Sequence, residues 1–183
     1  AASSGLAGCN RAAPTPDTTA PAEVPAEDAP ARAARLATHY AEYWEELLKL
    51  NPVQATFLGD PRYNDQLPDF ASAEYREQLR AFNERWLKTV EAIGSAGLEG
   101  QDLLSYRIFA QDRRDALDAE RFPGWMMPVN QMGSTVSYAV LLGSGQTAQP
   151  FASVADYDAW LRRAARIPTV LDTEIANMRI GIE

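Results

Sequence analysis

The chain is 183 residues long, with 46% hydrophobic and 23% charged residues, the balance of an ordinary globular protein; residues 31–183 suffice for one domain with a real core. Its formal charge of −8 counts against a nucleic-acid partner, because phosphate recognition runs on a surplus of Lys and Arg. No stretch approaches the roughly 20 apolar residues that span a bilayer, and one Cys and one His can form neither an internal disulfide nor a zinc site of the usual kind.

The single cysteine, Cys9, closes the stretch Leu6-Ala7-Gly8-Cys9. This fits the lipobox of bacterial lipoproteins: small residues enter a peptidase cleft, and the thiol takes the acyl-bearing group. A free thiol in a flexible tail is the plain alternative. The completeness of the motif, its place at the start and the linker behind it favour lipid attachment at Cys9. Residues 1–9 then read as the tail of a signal peptide with its lipobox. Asn10 replaces the Asp associated with inner-membrane retention, so the expected site is the outer membrane of a Gram-negative envelope, facing the periplasm. Residues 10–30, "NRAAPTPDTTAPAEVPAEDAP", carry one aliphatic residue larger than Ala. They bury too little apolar surface to offset ordering entropy and read as a disordered tether.

From Ala31 the pattern becomes helical. Leu36, Tyr40, Tyr43, Leu47 and Leu50 share one face, and Asn51-Pro52 ends this helix or starts the next. "PVQATFLG" predicts a short helix closed by Gly59, and "GDPRYNDQLPDF" a loop. Asp60, Asn64, Asp65 and Asp69 in that loop lack the spacing, the central Gly and the closing Glu of a calcium site. Ser72 predicts the N-cap of a long helix with Tyr75, Leu79, Phe82, Trp86, Val90 and Ile93 inward, stopped by Gly94 and Gly97.

A further helix is expected over 101–120, with Leu103, Tyr106, Ala110 and Leu117 inward. Its row Asp112, Asp115, Asp118 reads as a solvated face relieved by Arg113 and Arg114 rather than a cation cluster. His39 lacks a partner at ligand spacing and reads as structural. Trp44, Trp86 and Trp160 fall on apolar faces and read as core.

"FPGWMMPVNQMG", residues 122–133, is broken by two Pro and two Gly yet strongly apolar, so a buried irregular segment is expected. Its backbone needs partners, which Asn130 and Gln131 can supply. Alternatively it lines a substrate cleft, with Trp125, Asn130 and Gln131 as the candidate contacts. "STVSYAVLLG", 134–143, fits a short strand or a buried helix. Ser153 and Asp156 form a capping-box pattern ahead of a helix through Tyr157, Trp160, Leu161 and Ala164. Pro168 suits the first turn of a last helix whose stripe is Leu171, Ile175, Met178 and Ile182. That stripe keeps its period to the end without a cap, which reads as a domain truncated at its C-terminal end, its partner helices lying beyond.

Three stretches, "YWEELLKLNPVQATFLGDPRYND" (43–65), "RFPGWMMPVNQMG" (121–133) and "PFASVADYDAWLRRAARIPTVLDTEIANMRIGI" (150–182), resemble in the same order the bacterial family known as domain of unknown function 885. The resemblance implies a considerably longer, mostly helical parent, often secreted or lipid-anchored and similar to zinc metallopeptidases. Their signature is a His-Glu pair followed by Pro-Gly-His. No residue here matches it, so no catalytic residue and no metal ligand carries over; zinc belongs, if anywhere, to the full-length parent.

The expectation is therefore an all-α helical bundle, the N-terminal part of a larger metallopeptidase-like fold. It would supply scaffold and part of the cleft for a peptide substrate, held at the membrane by its N-terminal lipid, without catalysis or a cofactor of its own. The rivals are a non-catalytic helical lipoprotein that binds a peptide or envelope partner, and a purely structural anchor domain.

Overall fold

A computed structural model describes residues 28–130 and 133–182. Cys9, Gln131 and all but the last three residues of the expected tether lie outside the described residues. Among the described residues the chain is all-α. Its helices are α1 Ala29–Leu50, α2 Pro52–Phe57, α3 Ala73–Ile93, α4 Gly100–Ala119, α5 Thr135–Gly143, α6 Val154–Ala164 and α7 Ile167–Ile182. Single 3-10 turns lie at Pro61–Tyr63 and Gly124–Met126.

The helix starts follow local chemistry. Asp28 accepts from the Ala31 amide at 2.8 Å, so α1 begins two residues before the expected boundary at 31. Asn51 serves two helices: its amide donates to the Leu47 carbonyl, and its Oδ1 accepts from the Gln54 amide at 3.1 Å. Pro52 occupies the first turn of α2, where a missing N–H costs nothing. Gly59, at φ 82°, takes the left-handed turn that ends this short helix. Ser72 accepts from Tyr75 at 3.1 Å to start α3, and the Ser153–Asp156 capping box starts α6.

Helices α1, α3 and α4 share an apolar core in two adjoining clusters. Leu36, Val90 and Leu98 form one; Tyr43, Phe82 and Trp86 form the other, and Phe109 of α4 packs on both. The Trp86 indole donates to Glu46 at 3.3 Å. Trp44 is 42% exposed, which corrects the reading of it as core. Its place one residue from Tyr43 turns it away from the seam. Arg113 turns inward, stacks 4.8 Å from the Tyr43 ring and donates to that residue's hydroxyl and to Asn83. It does not relieve the Asp row; Arg114 pairs instead with Glu91 at 2.5 Å, and Asp118 with Arg121 at 3.2 Å.

The second half packs differently. Of residues 134–143, Thr135–Gly143 is helical behind the Ser134 cap, neither a strand nor a fully buried helix, with Val136, Tyr138, Val140 and Leu141 exposed. In α6 the buried residue is Arg163, whereas Tyr157 and Leu161 are exposed. In α7 the buried stripe is Val170, Glu174 and Asn177. Ile175 and Ile182 of the apolar stripe face out. Residues 122–130, expected buried, lie mostly on the surface as a strap across α7. Gly181 permits that approach, since a Cβ there would sit 2.9 Å from the Met126 Cβ.

Candidate functional site

The predicted cleft residues part company. Trp125 is half-buried, with the Arg76 guanidinium 4.4 Å above its ring. Both line an open groove of about 440 Å³ between α3 and the end of α4, with Arg80, Asn83, Ala116 and Phe122. Its charged groups are already engaged: Arg76 also donates to the Ala71 carbonyl at 2.6 Å, and Arg80 bonds Glu77 and Glu84.

Asn130 lies elsewhere. It forms an isolated bridge with Gly133, amide to carbonyl in both directions at 3.2 and 3.3 Å. It lines a recess of about 220 Å³ with Phe70, Ser134, Thr135, Tyr138 and Glu174. The fold thus separates Trp125 from Asn130, and Gln131 falls outside the described residues.

Phe70, Thr135 and Tyr138 also border a second cavity, about 190 Å³, beneath α5. Its walls are Val53, Leu67, Leu142, Trp160 and Ile167, and its charged member is Arg163. The loop 60–69 and helix α2 converge on that guanidinium. Nε donates to the Gln66 carbonyl at 3.0 Å, Nη2 to Thr56 Oγ1 at 2.8 Å and the Tyr63 carbonyl at 2.7 Å, and Nη1 to Gln149 Oε1 at 2.7 Å. Every acceptor is neutral. Burial lowers the Arg163 pKa to about 10, partly countered by the charge of Asp65. It remains a cation at neutral pH.

The acids of the loop are divided among other tasks. Asp60 and Glu45 hold Arg62, which keeps both carboxyls below their ordinary range. Asp65 pairs with Arg162 at 3.3 Å, and Asp69 accepts from Thr173 at 2.6 Å. Buried Asn64 accepts from Thr56 at 2.8 Å. Below the adjoining recess, the Thr135 hydroxyl donates to Glu174 at 2.5 Å, and Asn177 donates to the Ala71 carbonyl at 2.9 Å.

Arg163, Glu174 and Asn177 were missed because only the apolar residues of these helices were read as marking the inward face. A signal was present. Arg163 follows Trp160 by three, and Val170, Glu174 and Asn177 keep helical spacing as regular as the apolar stripe beside them.

No curated protein and no solved structure matches this chain. A family model does, over residues 52–183, beginning at the proline that opens α2 and taking in the loop, the strap and all three helices around Arg163. The chain belongs to the bacterial protein family of unknown function DUF885.

Proposed function

We propose that this chain is the scaffold portion of a lipid-anchored envelope protein similar to zinc peptidases, forming one wall of a substrate cleft and packing against further helices of the same protein. The observation that carries this reading is the apolar surface left exposed on α5, α6 and α7 while α6 and α7 bury polar side chains. Their inward faces hold Arg163, Glu174 and Asn177, while Val140, Leu161 at 63% exposure and Ile182 at 84% face out. Burying a large apolar side chain is worth roughly 1.5–3 kcal/mol. Apolar side chains left exposed on three successive helices mark a surface built to be covered.

Among the described residues no three His, Cys, Asp or Glu side chains gather as a metal site. His39 is engaged with Glu42 at 2.8 Å and lies edge-on to Trp86. Among the described residues the donor set does not fit the metal.

Hydrogen exchange on the 183-residue chain tests the scaffold reading. Amides from Thr169 onward should exchange far faster than those of α3, because one side of α7 lacks its cover. Protection of α7 equal to that of α3 in a monomer contradicts the reading.

A further inference from the structure

Glu174 is 3% exposed, yet it lines the recess between the strap and the first turn of α5. Among the described residues its carboxylate accepts from the Thr135 hydroxyl at Oε1, and no Lys, Arg or His pairs with it. The start of α5 gives it nothing more, because the cap bond there runs from the Ser137 amide to the Ser134 hydroxyl. Arg76 meets Asn177 of the same helix at the Ala71 carbonyl, but is committed there and to the Trp125 ring.

A carboxylate withdrawn from water without a cation is among the costlier arrangements a fold can hold. A water in the recess would fill the open lone pairs and leave the charge unbalanced. A cation that donates hydrogen bonds does both.

The rest of the recess states which kind of cation. No other Asp or Glu lines it, whereas calcium takes six to eight oxygen ligands. Two aromatic side chains line it instead, Phe70 and Tyr138, both exposed on their outer sides. The Tyr138 ring is held against the Gly133 backbone, where a Cβ would meet it at 3.3 Å. Aromatic faces attract ammonium groups, and the volume of about 220 Å³ leaves room for a short carbon chain behind one.

We propose that this recess binds a primary ammonium group, its N–H donors directed at Glu174 and its charge and first carbons lying against Phe70 and Tyr138. The site stands whether or not the chain belongs to a peptidase. Such a group occurs both at the amino terminus of a peptide and in a free alkylamine.

Binding to the 183-residue chain is measured by calorimetry and by shifts of the Ser134 and Thr135 amide signals in 15N spectra. The probes are Leu-Ala amide with a free amino terminus, its N-acetyl form, butylamine and 1-butanol. Each amine should bind about tenfold tighter than its neutral counterpart, the worth of one charge-assisted hydrogen bond. Tighter binding of the dipeptide assigns the source to peptide termini; tighter binding of butylamine assigns it to free amines. Glu174→Gln keeps the shape and can still accept from Thr135, and should erase the preference for amines. Tyr138→Ala, at an exposed position, should weaken both amines about two- to fivefold with helicity unchanged; this variant and the unmodified chain decide the matter if Glu174→Gln does not fold. Equal affinity for butylamine and butanol, an amine preference that survives in a folded Glu174→Gln, amine binding unaffected by Tyr138→Ala, or displacement of the amines by calcium chloride overturns the proposal.

Discussion

Arg163 holds four segments together through one side chain: the end of the 60–66 loop, α2, the stretch before α6 and α6 itself. Its planar fork is suited to this, because five donors point in fixed directions. Removing it strands several buried acceptors, each worth about 1–3 kcal/mol when left unpaired. Arg163→Ala should lower the free energy of unfolding by about 3 kcal/mol or more. Arg163→Lys should recover less than half of that, since an ammonium has three donors and no fork. The neighbouring Arg162→Ala, which removes only an exposed pair with Asp65, should cost about 0–1 kcal/mol. Urea denaturation of the three variants checks the order; equal losses at Arg162 and Arg163 would show that the buried contacts are not the source.

At the scale of elements, α1 illustrates a helix with both faces engaged. Its apolar face enters the core, while Glu46 pairs with Arg85 of α3 and Glu45 with Arg62 of the loop. The hydrogen bond from Arg85 comes first in holding the Glu46 carboxyl below its ordinary range, and the one from Arg62 does the same for Glu45. A lowered carboxyl binds protons less readily when folded than unfolded. The contribution is therefore present above the ordinary carboxyl pKa and is lost as pH falls through the folded value. Tyr40, packed on Phe109 of α4 at 4.9 Å, has the opposite sign. Burial, aided by Tyr106 and Asp102, raises it to about 12. Its contribution is full below pH 10 and fades as pH rises from there through 12. Thermal melts across pH should thus fall off below about pH 4.5 and again above about pH 10. Glu46→Gln should flatten the acid limb. An unchanged acid limb in that variant would remove the ion pair from the account.

For the whole molecule, the two halves are built on different chemistry: an apolar three-helix core of α1, α3 and α4, then α2 and α5–α7 organised around buried polar groups. In the proposed function, a covered outer face goes together with a lipid anchor at Cys9. If Cys9 carries acyl chains, Cys9→Ser should move the protein from the membrane fraction to the soluble fraction. Two or three chains hold firmly, at about 0.8 kcal/mol per buried CH₂, whereas none leaves an acidic protein with little affinity for a membrane surface. Fractionation of the expressing bacterium decides it, and unchanged membrane association of the variant excludes Cys9 as the anchor.

The all-α class, the order of the long helices, the caps at Ser72 and Ser153 and the boundary at Asn51-Pro52 are legible in the sequence. These are local matters: a side chain two or three residues from an amide either reaches it or does not, and periodicity is read along one helix. It also determined the core face of α1 and α3, where the apolar stripe and the buried stripe coincide. The burial of Arg163, Glu174 and Asn177 by α6 and α7, and the separation of Trp125 and Asn130 into different recesses, follow from long-range packing. A charged side chain goes inside when distant acceptors converge on it. Those of Arg163 lie 14 to about 107 residues away in the chain, a separation over which no periodicity carries information.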